Sequence, residues 1–299
     1  MKKDAMGTLN NLQREQWTDD GFIQLEGVLT LGEVGFFSEQ IDRIRMLPGY
    51  EATRGSPLGH YEWVDQANPV KESFMDRRDL LSYHQAFINL IDRPNIFDLI
   101  VDIMGPYLQF SMSQAIVRGG KDGFKGYTHT DGGEGQRSVR VTESSAPIAV
   151  KAMYLLTDVD EIDSGNLTVF PGSHMRPFPT TKTRSLNPHS PGAVQLLGKA
   201  GDCYLFPHAL WHGPAPNHMD IGRKTLLYNY SQMFMRSYDY GGPVPEAILD
   251  NCTPRQRRLL GDLGYQFRPG SYFYVPEDQE AVIRMDESLK NSLQPTHIV

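Results

Sequence analysis

Cysteine is nearly absent: Cys203 and Cys252 are the only two in 299 residues. Two thiols exclude a disulfide scaffold and a cysteine-rich zinc module, and they suit a reducing compartment. Long apolar runs are missing as well. No stretch approaches the ~18 consecutive apolar residues that a membrane-spanning helix needs, and no apolar core follows Met1-Lys-Lys-Asp-Ala-Met-Gly7, so a secretory leader is not expected. The expectation is a cytoplasmic chain without membrane contact. Positive charge is in deficit, with 29 Lys and Arg against 36 Asp and Glu, and the net −7 argues against a broad nucleic-acid surface. Internal repeats and linker-like stretches are also lacking, so 1–299 reads as one domain.

The apolar fraction, 39%, is enough for a real core in a chain of this size. The first part, about 8–104, reads as mainly helical. Thr8 is placed to cap a helix reaching Trp17, and Phe22–Gly27 alternates like a short strand. Thr30 with Glu33 forms a capping box for a helix over Leu31–Leu47, which Pro48-Gly49 ends. Residues 50–75 read as a loop with short strands. Ser82–Met104 looks helical, split by Pro94. From about 107 to 235 the pattern changes to short strands closed by Gly and Pro: Tyr107–Arg118, Ile148–Leu156, Asn166–Phe170, Asp202–Phe206 and Lys224–Tyr230. Such spacing predicts a sandwich or barrel with helices packed outside it. Residues 236–299 read as a helix and loop cover, with a helix over Pro254–Leu263.

Nine histidines each need a placement. Gly126-Tyr-Thr-His-Thr-Asp-Gly-Gly133 sets His129 and Asp131 two residues apart. On a strand, positions i and i+2 share a face, so the two side chains would converge. His212, in Leu210-Trp-His-Gly-Pro-Ala-Pro216, is the best third ligand. Two His and one carboxylate are the donor set of non-haem Fe(II) oxygenases, which leaves positions open for O2 and a co-substrate. Alone, a His-x-Asp pair is common by chance, and a polar loop holding a hydrogen-bonded His explains it more simply. Arg223, eleven residues beyond His212 at the start of an apolar strand, adds weight. An Arg pointing into a barrel needs an anion, and 2-oxoglutarate offers a carboxylate at its far end; a surface Arg beside Lys224 is the plainer alternative.

Further motifs complete a pattern: Asp20-Gly-Phe-Ile-Gln-Leu-Glu-Gly-Val-Leu29, His129-Thr-Asp131, Gly165-Asn-Leu-Thr-Val-Phe-Pro-Gly-Ser-His174, Gly201-Asp-Cys-Tyr-Leu-Phe206, and His212-Gly213 with Asn217. In this order they resemble the phytanoyl-CoA dioxygenase family of Fe(II)/2-oxoglutarate oxygenases, over roughly three-quarters of the chain. The resemblance implies a mainly β chain with flanking helices around a double-stranded β-helix core, of jelly-roll or cupin-like form. It implies iron ligation by His129, Asp131 and His212, and Arg223 as the anchor for the C5 carboxylate of 2-oxoglutarate. Halogenating relatives replace the carboxylate ligand by a small residue; Asp131 is retained, which implies hydroxylation or another oxidation. One departure stands out. Family members often carry Ser two residues after the distal His, and here that residue is Pro214, with neither hydroxyl nor N–H. Lys151, a charge inside an apolar strand, is a candidate helper for Arg223, and Met153 shares its parity; a solvent-facing Lys is the alternative.

Substrate contacts are expected from Met112 and Gln114, which share parity, from Asn229, which shares the parity of Arg223, and from Arg137 and Arg140 in the Gly132–Ser145 insert, unless that insert is a solvated loop. Tyr238, Tyr240, Tyr265 and Phe267 are placed to close the pocket or pack outer helices. His174 reads as structural, and His189 and His218 as solvated. The substrate is expected to be a small natural product or amino-acid-like molecule. Desaturation, epoxidation and rearrangement use the same residues as hydroxylation. A zinc hydrolase built on His208, His212 and a carboxylate is a rival, as is a non-catalytic β-barrel binding module.

Overall fold

Alternation along one strand, β9 (Arg223–Gln232), explains the layering. Leu226, Tyr228 and Tyr230 face an apolar cluster shared with the helices, whereas Arg223, Thr225, Leu227 and Asn229 face a cavity. The computed structural model describes residues 8–45, 74–121, 125–137, 139, 142, 145–179, 186–240 and 242–263. The expected loop over 50–73, Arg140, Tyr265 and Phe267 fall outside these residues.

β9 sits inside a six-stranded antiparallel sheet with β1 (Ile23–Leu25), β2 (Phe74–Arg78), β3 (Leu108–Arg118), β4 (Ala149–Leu155) and β7 (Cys203–Pro207), in the order β1-β7-β4-β9-β3-β2. A second antiparallel sheet, β6-β5-β8, comprises Val194–Gln195, Leu167–Val169 and His212–Pro214. The two sheets form the mainly β, jelly-roll core, and Met153, Leu155, Phe206 and Leu227 of the large sheet pack with Leu167 and Val169 of the small one.

Helices cover the other face of the large sheet. In α1 (Asn11–Asp19) no residue is fully buried. In α2 (Leu31–Arg45) the buried residues are Val34, Phe37, Ile41 and Ile44, the spacing of a single helical stripe. Each such side chain contributes roughly 1.5–3 kcal/mol of burial before the entropy of ordering is set against it. α3 (Gln85–Asn89) and α4 (Phe97–Met104) stack behind β9. The Tyr228 and Tyr230 hydroxyls donate to the carbonyls of Phe87 and Ile91, both at 2.8 Å, so two fully buried phenols are satisfied. The chain continues through α5 (Gly133–Arg137) beside the cavity, and α6 (Glu246–Leu249) and α7 (Pro254–Leu259) close the described part. No described helix is long and apolar enough to cross a membrane.

Several expectations need correction. Asn10, not Thr8, caps α1, in a reciprocal box with Gln13. The Thr30–Glu33 box is present, and Glu33 also pairs with Arg93. Ser82–Met104 does hold two short helices, α3 and α4, with Pro94 between them as expected. α7 stops at Leu259, four residues early. Phe74–Arg78 is a true edge strand, which its Asp-Arg-Arg sequence conceals because the cavity-facing side of β2 is charged. β6 and β8 lack alternation because each has only two or three residues.

Candidate metal centre

A bulge prepares the site. The β3–β9 register shifts between Phe110 and Met112. An extra residue there flips parity, so Phe110 stays with the helix-side cluster while Met112, Gln114, Ile116 and Arg118 turn into the cavity. The cavity holds about 1010 Å³. Of the other expected contact residues, Arg137, Lys151, Met153, Arg223, Asn229 and Tyr238 all line it. Tyr240 does not; its hydroxyl is bonded to Asp79.

His129 and Asp131 are not on a regular strand as expected. They lie in a loop, where His129 forms one isolated bridge with His212. The His129 N–H donates to the His212 carbonyl at 2.8 Å, and the His129 carbonyl accepts the His212 N–H at 2.9 Å. Asp131 is fixed differently: its N–H donates to the His208 carbonyl at 3.0 Å. Glycine permits this approach. A Cβ on Gly213 would stand 1.8 Å from the Tyr127 carbonyl oxygen. Gly132, at φ 71°, turns the chain into α5 directly after Asp131.

The three side chains nevertheless converge. One ligand atom from each of His129, Asp131 and His212 lies within 4.8 Å of the others. Asp131 Oδ1 is 3.8 Å from His129 Nε2 and 3.7 Å from His212 Nε2. His212 Nδ1 is 2.8 Å from the Leu210 carbonyl. That bond keeps the proton on Nδ1 and leaves the Nε2 lone pair aimed at Asp131. Burial, then the neighbouring His212, push His129 down to about 3, and burial lowers His212 as well. Both imidazoles are therefore neutral at physiological pH. Burial alone would raise Asp131; the Lys151 ammonium outweighs it and holds the carboxyl below its ordinary range. Two neutral imidazoles and one carboxylate, with Asp131 Oδ2 buried and unpartnered, fit a divalent transition metal.

Lys151 faces the cavity and not solvent, with its Nζ 2.6 Å from Asp131 Oδ1. Phe206 packs on the His212 ring at 4.8 Å, and Tyr127 on His129 at 5.1 Å. Arg223 is buried at the far end of the same face of β9, and Gly165 packs against its stem. Burial, and Arg118 after it, push its guanidinium down to about 9. His208 stands apart from the convergent group: its two ring nitrogens are buried without partners beside Arg137 and Phe178. His174 is buried in a 3-10 turn, as a structural His should be.

Sequence reasoning missed Asp76, Arg78, Arg118 and Tyr127, all on the cavity wall. For Arg118 the signal was available, since the Met112–Gln114 parity continues through Ile116 to it. For Asp76 and Arg78 there was none without β2 being recognised.

Comparison with known proteins agrees with this architecture. A family profile described as phytanoyl-CoA dioxygenase (PhyH) matches residues 17–225. An uncharacterized protein of Mycobacterium tuberculosis is 26% identical over 121 residues, which cover 39% of this chain and 42% of that relative; the chain thus spans under half of its length. Among solved structures, HygX from Streptomyces hygroscopicus with nickel and 2-oxoglutarate bound has a TM-score of 0.61 at 20% identity, covering 78% of this chain and 90% of that one. A further HygX structure also contains hygromycin B. The epimerase SnoN from nogalamycin biosynthesis, in complex with Fe3+, alpha ketoglutarate and nogalamycin RO, has a TM-score of 0.54 at 22% identity, covering 73% and 81%.

Proposed function

The chain belongs to the phytanoyl-CoA dioxygenase family, and from that premise we propose that it is a non-haem Fe(II)- and 2-oxoglutarate-dependent oxygenase that hydroxylates a C–H bond of a small organic molecule. The observation that carries the reading is the convergence of His129, Asp131 and His212 on the wall of a cavity that Arg223 also lines. With iron, 2-oxoglutarate and O2 in place, the chemistry supplied is oxidative decarboxylation to succinate and CO2, with the second oxygen atom entering the substrate.

The chain's own residues have separable tasks. His129, Asp131 and His212 would hold the metal. Leu210 fixes the His212 tautomer through its carbonyl, and Lys151 orients Asp131. Arg223 would hold the far carboxylate of 2-oxoglutarate. Met112, Met153, Leu227 and Phe206 give the cavity an apolar lining that excludes water. Gln114, Asn229 and Arg137 are the polar groups that would orient the substrate. Six cationic residues, Arg78, Arg118, Lys125, Arg137, Lys151 and Arg223, line the cavity with two carboxylates, Asp76 and Asp131. This balance supports a substrate rich in carbonyl or anionic groups.

An anaerobic titration tests the proposal. Fe(II) followed by 2-oxoglutarate should produce the weak visible charge-transfer band of an iron–keto-acid chelate, weakened in Arg223→Ala. Absence of the band, with zinc found in the purified protein, would overturn the oxygenase reading and favour the hydrolase or binding-module alternative.

A further inference from the structure

Lys151 and Asn229 are direct partners across β4 and β9, the two middle strands of the large sheet. Both line the cavity; Asn229 is 3% exposed and the Lys151 side chain 12%. Residues directly opposed on antiparallel strands hold their Cβ atoms about 4.5–5.5 Å apart, so ammonium and amide leave the sheet side by side.

Their hydrogen-bonding capacity exceeds what the fold uses. An ammonium carries three donors, and an amide two donors and one acceptor oxygen. Lys151 Nζ makes one bond, to Asp131 Oδ1 at 2.6 Å. Among the described residues the Asn229 amide makes none. A buried amide left this way costs the desolvation that its hydrogen bonds would offset. The remaining ammonium donors and both amide donors share one patch of the wall, and the group they fit is an acceptor.

Charge selects among acceptors. Asp131 balances Lys151 in the metal-free protein. A divalent ion held by His129, Asp131 and His212 would claim that same carboxylate, and the buried ammonium then needs another anion. The far carboxylate of 2-oxoglutarate is not placed to serve. Arg223, which would hold it, stands about 20 Å back along β9 from Asn229, at roughly 3.3 Å per residue.

We propose that Lys151 and Asn229 bind a carboxylate of the organic substrate, which makes that substrate a carboxylic acid. This rests on the oxygenase reading above and adds the substrate class to it. Nζ is 2.6 Å from Asp131 Oδ1. A charge-assisted bond of about 2.8 Å then keeps the bound oxygen within about 5.5 Å of that ligand atom. Oxidation accordingly falls on a carbon near the carboxylate rather than at the far end of the molecule.

The test is calorimetric, on the full chain loaded with Ni(II) and saturating 2-oxoglutarate, using 3-phenylpropanoate and 3-phenylpropanamide. The two probes match in size and differ in charge, and bound 2-oxoglutarate keeps them from Arg223. Wild type should prefer the acid. Lys151→Met should cut that preference by about 10-fold or more, the scale of one charge-assisted interaction, and Asn229→Leu by about threefold. Asn229→Leu leaves Asp131 untouched, so it carries the test if Lys151→Met fails to fold or to hold nickel; its affinity for 2-oxoglutarate should stay within about twofold of wild type. Asn229→Asp gives Lys151 a carboxylate of its own and should abolish the preference. Equal binding of acid and amide by wild type, or a preference that survives in all three variants, would overturn the proposal and leave the oxygenase reading intact. Loss of 2-oxoglutarate binding in Asn229→Leu would assign the pair to the co-substrate and overturn it as well. Nickel-loaded wild type that binds no 2-oxoglutarate would overturn the oxygenase reading and the proposal with it.

Discussion

Lys151 Nζ lies 2.6 Å from Asp131 Oδ1, and the two side chains are only 12% and 15% exposed. The ammonium therefore sits on the same oxygen that faces both imidazoles. It neutralises the carboxylate before any metal arrives, and it opposes the arrival of a divalent cation. Removing one partner of a buried ion pair costs about 3–5 kcal/mol, toward the lower end where the pair borders an open cavity. Lys151→Met should thus lower the melting temperature of the metal-free protein by several degrees. Added Ni(II) should then raise it by more than in wild type, because the competing cation is gone. Melting curves with and without the metal decide the matter; an equal or smaller metal-induced rise would show that Lys151 does not act on the site through Asp131.

The ligand assignment separates His212 from His208. His212→Ala or Asp131→Ala should reduce reconstituted metal well below one equivalent, measured by elemental analysis after gel filtration. His208→Gln should leave it near one, since the His208 ring lies outside the convergent group. Loss of metal in His208→Gln with retention in His129→Ala is the pattern of the zinc hydrolase, and it would remove the oxygenase ligand set.

How much of this was legible beforehand depends on what each residue's neighbours are. The inward faces of β4 and β9 could be read because their outward faces are apolar: Val150, Ala152 and Tyr154 alternate with Lys151 and Met153. His129, Asp131 and His212 are picked out as a convergent group by residue type and order, but not by a shared strand face. Their convergence comes from the His129–His212 bridge and the His208 carbonyl, contacts made across about 80 residues of chain that no local period encodes. Lys151 was recognised as anomalous in its strand, but its partner Asp131 lies on a different segment and only folding brings the two together. Asp76 and Arg78 stayed hidden because an edge strand with a charged inner face carries no apolar alternation.

Gly213 lies at a tight approach between the segments that carry His129 and His212. Gly213→Ala would put a Cβ 1.8 Å from the Tyr127 carbonyl oxygen, a backbone atom that cannot move aside alone. The strands must separate, and the paired bonds between His129 and His212 lengthen with them. Overpacking of this kind costs about 1–3 kcal/mol. Metal affinity should fall together with stability. Gly135→Ala is the control, because its Cβ would meet nothing within 4 Å and it lies in α5. There the substitution should be neutral or stabilising by up to about 1 kcal/mol. Equal behaviour of the two variants in metal titration would contradict the tight approach at Gly213.

Asp239 gives the cavity wall a pH dependence. Its Oδ2 accepts the Ser113 N–H at 2.7 Å and the Ser113 hydroxyl at 3.3 Å, while Oδ1 is buried without a partner. Burial, only partly offset by those bonds, raises the carboxyl to about 7. A carboxyl raised on folding stabilises the native state fully below its ordinary range near 3.8. That contribution is lost as pH climbs through 7, when the buried acid must ionise. Tyr238, the preceding residue, lines the cavity and accepts a bond from Gln136 at 2.7 Å, so the loss falls on the wall beside the substrate space. Asp239→Asn keeps an acceptor for Ser113 and cannot ionise. Between pH 5 and 8 the melting temperature of the variant should therefore gain on that of wild type. Comparing the two proteins at each pH cancels the histidines, and Glu33, held at about 2 by Arg93, does not titrate in this window. A constant gap across that range would mean that Asp239 is ionised throughout and that solvent reaches it.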